Sequence, residues 1–150
     1  MHKVPTFSKG GVHPDDMKVF SRLQPIERIP MPGELVVALS QHLGSPAKAL
    51  KAKGDTVVKG EKIGEASGFI SADVHAPVSG VVKEIRKVTL ANSIVCDALV
   101  ITPDEEQPAD VVESVDWTTL SESELVAKIK AMGIVGMGGA TFPAHVKLTI

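Results

Sequence analysis

The sequence predicts a mainly β fold, because short apolar runs alternate with turn-forming residues through the middle of the chain. Of its 150 residues, 43% are hydrophobic and 23% are charged, a composition typical of a folded globular protein. Between residues 34 and 103, runs of strand length are separated by Gly, Pro and Asp. This pattern favours a small sandwich or barrel over alternating strand–helix–strand units.

Residues 1–33 are predicted to form an N-terminal arm that precedes the β domain. The stretch contains Pro5, Pro14, Pro25, Pro30 and Pro32. Each proline removes an amide donor and disfavours helix at the residue before it. An unstructured terminus is the alternative that this composition leaves open.

The β domain is predicted to span residues 34–103. Its first strand candidate is the apolar run 35–39, and its longest is 93–101. Between them, Lys53-Gly54-Asp55 and Lys59-Gly60-Glu61 have the composition of tight turns. A domain of roughly 70 residues is close to the lower size limit for an independent hydrophobic core.

Charge and cysteine content exclude several classes of function. The net charge is −2 and aromatic residues make up 3% of the chain, so it has neither the basic excess nor the stacking platforms of a nucleic-acid binder. Cys96 is the single cysteine, which excludes an internal disulfide and an all-cysteine cluster. We expect Cys96 to be a small core residue rather than a ligand or nucleophile. The acidic stretch 104–120 is interpreted as a solvated linker rather than as a partner-binding tail.

Residues 121–132 are the clearest helix in the sequence. Ser121 and Glu124 have the spacing of a capping box, in which each side chain satisfies an amide of the first turn. Gly133 follows where a left-handed C-terminal cap requires glycine. One apolar face is predicted to consist of Leu125, Ile129 and Met132.

A motif in the β region resembles the barrel-sandwich hybrid fold of biotinyl and lipoyl carrier domains. It reads Gly54-Asp55-x-Val57-x-x-Gly60-Glu61-x-Ile63-Gly64 and is followed by Ala76-Pro77-Val78-Ser79-Gly80-Val81-Val82. In those carriers a modified lysine lies at a hairpin tip seven residues before the Ala-Pro step, a position occupied here by Phe69. No lysine lies between Lys62 and Lys83. The resemblance therefore implies the fold without the swinging arm.

A second motif is the glycine-rich segment from Gly133 to Lys147. Such a loop lets backbone amides approach a phosphate or a planar ring closely, and Pro143 suits the first turn of a helix that follows. The spacing is neither that of a dinucleotide-binding G-x-G-x-x-G loop nor that of a P-loop. An ordinary connector is the alternative. We expect His145 to lie at the surface, with a ligand-facing position as the second possibility.

Three features in this order resemble the N-terminal part of the RnfC subunit of the Rnf electron transport complex. They are Thr6-Phe7-Ser8-Lys9-Gly10-Gly11-Val12-His13-Pro14, the carrier-like β domain, and the segment from Gly133 to Lys147. The last motif also resembles the flavin loop of the NADH-binding subunit of complex I. Val135 and Met137 stand where that loop has arginines, and Thr141 replaces a glycine. Matching positions are Gly136, Gly138, Gly139, Ala140, Phe142, Pro143 and Lys147.

The resemblance implies a peripheral subunit on the cytoplasmic face of the cell membrane, in a translocase that couples electron transfer between NADH and ferredoxin to ion translocation. It implies FMN and NADH as ligands of the full-length protein, 4Fe-4S clusters beyond residue 150, and the remaining subunits of the complex as partners. In such a protein the matching glycines would bring amides against the flavin or its phosphate, and Lys147 would offer a cation.

If this resemblance holds, residues 121–150 begin a flavin- and NADH-binding α/β domain that is truncated, and the 150-residue chain alone is inactive. The β domain is then a structural or docking module. Two alternatives stay open at this point: a biotinyl or lipoyl carrier, which the phenylalanine at position 69 disfavours, and a non-catalytic interaction module.

Overall fold

The computed structural model describes residues 17–109 and 114–149 of the chain. The predicted motif at residues 6–14 lies outside these ranges. The chain divides into two compact units, Met1–Pro30 and Met31–Ile150. In the first unit, the amides of Ser21 and Arg22 donate to the carbonyl oxygen of Lys18 and so form a turn. Residues 25–34 form neither helix nor strand.

Two antiparallel sheets make up most of the second unit. The larger sheet has the strand order β1-β7-β6-β3 and the smaller sheet has the order β2-β4-β5. The mainly β prediction is therefore confirmed. The strands are β1 Leu35–Ala38, β2 Lys48–Ala49, β3 Thr56–Val57, β4 Lys62–Glu65, β5 Val74–His75, β6 Gly80–Thr89 and β7 Val95–Pro103.

The hydrophobic core draws side chains from both sheets. The long hairpin of β6 and β7 pairs Val82 with Ile101, and both side chains are fully buried. Ile63 of the smaller sheet is equally buried in the same cluster. Burial of aliphatic side chains from both sheets and their connections is what stabilises a domain this small. The cluster consists of Val37, Leu39, Ala47, Val57, Ile63, Val74, Ala76, Val78, Val82, Leu99 and Ile101.

Both turns predicted in the β domain are present, and an acidic side chain closes each of them. The Asp55 carboxylate accepts a hydrogen bond from the amide of Ala52 at 2.7 Å. The Glu61 carboxylate accepts one from the amide of Val58 at 2.9 Å. The Gly-Asp and Gly-Glu pairs thus supply the turn and its side-chain acceptor together.

The last strand of the β domain begins two residues later than the sequence predicts. Ser93 has a φ of 65°, and the amide of Ile94 donates to the Asn92 side chain at 3.1 Å. Ser93 and Ile94 therefore belong to the turn between β6 and β7, and β7 begins at Val95. With ten residues, β6 is longer than this strand. Cys96 in β7 is buried and free, which confirms its assignment to the interior.

The predicted helix is present as α1, Glu122–Ala131, and its capping box is confirmed. Its predicted apolar face is wrong at one position. Leu125 and Ile129 are half-buried, but Met132 is 61% exposed because it is the C-terminal cap and lies beyond the packed turns. Val126, which is half-buried, completes the packed face instead.

Two shorter helical segments flank α1. A 3-10 turn at Trp117–Thr119 precedes it, within the predicted linker, and the Asp116 carboxylate caps that turn. A second helix, α2, spans Ala144–Leu148. No helix in the described ranges is long and apolar enough to cross a bilayer.

Candidate functional site

The glycine-rich segment forms a closed-base loop between α1 and α2. Val135 and Pro143 face each other in an isolated antiparallel bridge. The amide of Gly136 donates to the carbonyl oxygen of Phe142 at 2.9 Å, which closes the base of the loop. Residues 137–141 form its tip.

Gly133 anchors this loop to the β domain. It has a φ of 64°, and its amide donates to the carbonyl oxygen of Lys130 at 3.0 Å. A Cβ on this residue would lie 2.3 Å from the carbonyl oxygen of Asp73. The predicted left-handed end of α1 is confirmed, and the close contact with the segment before β5 gives glycine a second structural reason.

Gly138 and Gly139 at the loop tip have no such reason within the chain. Both are exposed, neither has a positive φ, and a Cβ on either would meet no atom within 4 Å. The amides of residues 137–140 donate no hydrogen bond to any residue that the structure describes. The fold thus leaves the backbone of the tip open to a group from outside this part of the chain.

The other matching positions surround the base of the loop. Pro143 is buried and caps α2 at its N-terminus, one residue before the predicted helical position. Phe142 is half-buried, and the Nζ atom of Lys147 lies 5.6 Å from the centroid of its ring. This is the distance of a cation–π contact. Lys147 is itself exposed and so is the cation nearest the loop in sequence.

The surface position predicted for His145 is wrong. Its side chain is buried, with 9% of the residue exposed, because α2 packs back onto α1. Burial lowers the pKa of His145, and the positive charge of Lys130 lowers it further, while Asp73 opposes the shift. A neutral imidazole is therefore favoured in the folded protein.

The tip of the glycine loop faces two connections of the β domain across a cavity of about 360 Å³. One connection joins β1 to β2, and the other is the turn between β6 and β7. Sequence reasoning missed these wall residues because they lie about 50 to 100 positions before the loop and match no motif. The lining residues are Ser40, Gln41, His42, Leu43, Gly44, Asn92, Ile94, Gly139, Ala140 and Thr141.

The hairpin tip that holds the modified lysine in carriers is occupied here by an aromatic side chain. Phe69 lies in the connection between β4 and β5 and is 77% exposed. The hydroxyl of Ser67 donates to the carbonyl oxygen of Pro46 at 2.6 Å, and that of Ser71 donates to Ser45 at 2.8 Å. This connection is thus held firmly, and Phe69 presents no nucleophile.

Among residues 17–109 and 114–149, no group of three or more His, Cys, Asp or Glu side chains is placed to hold a metal ion. The described chemistry of the loop region is therefore that of backbone amides, neutral side chains and Lys147.

Comparison with known proteins agrees with the fold and covers nearly the whole chain. Residues 6–106 match the family model of the RnfC barrel sandwich hybrid domain, which confirms the predicted fold. The C subunit of the proton-translocating ferredoxin:NAD(+) oxidoreductase complex of Clostridium ljungdahlii is 42% identical over 142 residues, which cover 93% of this chain and 31% of the relative.

Two further relatives show the same extent of similarity. The C subunit of the ion-translocating oxidoreductase complex of Rhodobacter capsulatus is 36% identical over 153 residues, covering 99% of this chain and 30% of the relative. The C subunit of the Na(+)-translocating ferredoxin:NAD(+) oxidoreductase complex of Acetobacterium woodii is 36% identical over 149 residues, covering 95% and 32%. The chain therefore spans about a third of the length of these curated relatives.

Proposed function

The chain belongs to the RnfC family, and on that premise we propose that it forms the N-terminal part of the RnfC subunit of an ion-translocating oxidoreductase complex. The complex would pass electrons between NADH and ferredoxin and couple this transfer to ion movement. The names of the relatives from Clostridium ljungdahlii and Acetobacterium woodii support both the redox pair and the coupling. The protein would be peripheral, on the cytoplasmic face of the membrane.

We propose further that the glycine loop is part of an FMN site. The observation that carries this proposal is that Gly138 and Gly139 are glycines without any reason of backbone angle or packing inside the chain. A planar ring or a phosphate that approaches the backbone closely supplies the missing reason.

The residues present fit this cofactor. The undonated amides at the tip suit the carbonyl edge or an anionic oxygen of a flavin, and Lys147 offers a positive charge. Val135 and Met137 add no charge of their own, so binding would depend on the backbone more than in an arginine-bearing loop. Bound FMN would supply the exchange between two-electron and one-electron transfer that links NADH to iron–sulfur clusters. Those 4Fe-4S clusters would be held beyond residue 150.

The β domain is proposed to act as a structural or docking module within the complex. Its position in the fold supports this role, because Phe69 stands where a carrier needs a lysine, and the covalent chemistry of a carrier has no amine here. A pull-down of the membrane subunits by the full-length protein, with and without residues 34–103, tests docking. Equal recovery in both cases would contradict it.

Flavin titration tests the cofactor assignment. FMN is added to the full-length protein, to residues 1–150, and to full-length Gly138→Val and Gly139→Val, and the quenching of flavin fluorescence is followed. We expect stoichiometric binding by the full-length protein and little by residues 1–150, because a partly built pocket does not bury a flavin. Both valine variants should bind at least tenfold more weakly, since a side chain then occupies the approach to the backbone.

Gly33→Val is the matched control, because Gly33 also has open space around its Cβ position and no positive φ, but lies far from the loop in sequence. It should bind FMN like the unmodified protein. Unchanged FMN affinity in both loop variants would refute the assignment of the loop.

A further inference from the structure

We propose that the β domain supplies the second wall of the flavin site. The cavity between the glycine loop and the two β-domain connections would hold the uncharged, hydroxyl-bearing ribityl chain of the cofactor. This inference rests on the proposed function, since it assumes that the loop binds FMN. It assigns a role in binding to Ser40, Gln41 and Asn92.

The first argument is placement. Gly139, Ala140 and Thr141 at the loop tip line the same cavity as residues 40–44 and Asn92. Its volume of about 360 Å³ lies within the range of small-molecule sites, which start at about 300 Å³. A ligand seated against the open amides of the tip therefore meets the β domain on its other side.

The second argument is the chemistry of the lining. Ser40 and Thr141 contribute hydroxyl groups, Gln41 and Asn92 contribute side-chain amides, and neither lysine nor arginine lines the cavity. Neutral donors and acceptors suit hydroxyl groups, whereas a phosphate is bound by cations or converging amides. The cavity therefore fits the ribityl chain better than the phosphate group.

The third argument is that two of these amides are already oriented. The Nε2 atom of Gln41 donates to the carbonyl oxygen of Ala38 at 2.8 Å, which leaves its Oε1 atom as an acceptor. The Oδ1 atom of Asn92 accepts from the amide of Ile94 at 3.1 Å, which leaves its Nδ2 atom as a donor. Side chains held this way lose little entropy when a ligand binds.

His42 supports this wall from behind. Its residue is 8% exposed, its Nδ1 atom lies 3.2 Å from the carbonyl oxygen of Leu43, and its Nε2 atom lies 3.1 Å from the amide nitrogen of Ala72. Both ring nitrogens are therefore occupied within the protein. His42 fixes the connection between β1 and β2 and is not itself offered to a ligand.

Backbone strain on both sides of the cavity is consistent with a ligand site. Thr141 has a φ of 43°, in the left-handed region that a β-branched residue strongly disfavours. Ser93, next to Asn92 in the opposite wall, has a φ of 65°. Such strain tends to persist where function, rather than folding, requires the conformation.

Three flavins separate the contributions of the two walls. FMN carries the ribityl chain and a phosphate, riboflavin carries the chain without the phosphate, and lumiflavin lacks both. We expect Ser40→Ala/Gln41→Ala/Asn92→Ala in the full-length protein to bind FMN and riboflavin about tenfold more weakly, as the loss of two or three hydrogen bonds implies. Its affinity for lumiflavin should not change. Gln24→Ala, an exposed glutamine outside the cavity, is the matched control.

A single near-isosteric change guards against a folding defect in the triple variant. Asn92→Asp keeps the Oδ1 acceptor for Ile94 and removes only the amide donor that faces the cavity. It should weaken the binding of riboflavin, which has no phosphate to be repelled, by about threefold or more. The melting temperature should match that of the unmodified protein.

The outcomes distinguish this inference from the proposed function. If the triple variant binds FMN like the unmodified protein while Gly138→Val does not, the β-domain wall is refuted and the flavin loop stands. If lumiflavin binding weakens as much as riboflavin binding, the ribityl assignment is refuted. If the unmodified full-length protein binds no flavin, the proposed function itself fails.

Discussion

Gly133 approaches Asp73 so closely that a Cβ on the glycine would lie 2.3 Å from the aspartate carbonyl oxygen. This contact joins the end of α1 to the residue before β5, and therefore the glycine loop to the β domain. The Asp73 side chain helps to fix the same point, because its Oδ1 atom accepts from the amide of Ala66 at 2.8 Å. Its other oxygen lies 3.4 Å from the Nζ atom of Lys62.

Gly133→Ala should therefore destabilise the protein by about 2–3 kcal/mol, since alanine must adopt a positive φ and also displace the Asp73 backbone. Urea unfolding measures the loss. Gly138→Ala is the control, because it has open space and no positive φ, and it should stay within about 0.5 kcal/mol of the unmodified protein. Equal stability of the two variants would show that the contact is not maintained in solution.

Two neighbouring valines of β6 test the position of the core. Val82 is 0% exposed and Val81 is 39% exposed, because successive side chains of a strand point to opposite faces. Val82→Ala should lower the free energy of unfolding by about 2 kcal/mol, through lost burial and a residual cavity. Val81→Ala should cost much less. A larger loss for Val81→Ala would mean that the register of β6 is shifted by one residue.

Burial of His145 makes stability depend on pH. Its pKa in the folded protein is lowered from the ordinary value of 6.5, mainly by desolvation and also by Lys130. The unfolded chain therefore takes up the proton first as the pH falls below 6.5, and the free energy of unfolding decreases until the pH has passed the folded pKa. Above 6.5, His145 contributes no pH dependence.

Thermal unfolding between pH 7 and pH 5 measures this effect. His145→Gln should flatten the decline, because glutamine does not titrate. Lys130→Met should reduce it in part, since one of the causes of the lowered pKa is removed. The same slope in His145→Gln and the unmodified protein would contradict the assignment.

Phe69 predicts that the β domain is not a substrate for biotinyl or lipoyl ligases. The hairpin tip offers an exposed aromatic ring, and no lysine lies between Lys62 and Lys83. Co-expression with either ligase should leave the intact mass unchanged, as mass spectrometry will show. A mass increase of one biotinyl or lipoyl group would mean that another lysine is presented and would revive the carrier hypothesis.

Local features of the fold could be predicted from the sequence because each depends on neighbouring residues. Ser121 and Glu124 form the predicted capping box, and Gly133 ends α1 with a positive φ. The Gly-Asp and Gly-Glu turns of the β domain depend equally on hydrogen bonds over three positions. Where prediction failed, a local pattern was extended too far, as at Met132, which lies beyond the last packed turn of α1.

By itself, then, the sequence determined the mainly β class, the ends of α1 and the resemblance of the glycine loop to a flavin loop, because periodicity, capping and motifs are properties of adjacent residues. Only the tertiary structure decided that His145 is buried and that Asn92 and Gln41 face Thr141 across one cavity. It also separated Gly133, which the fold requires, from Gly138, which the fold does not. These distinctions depend on contacts between distant segments, and such contacts form only when burial of the common core brings those segments together.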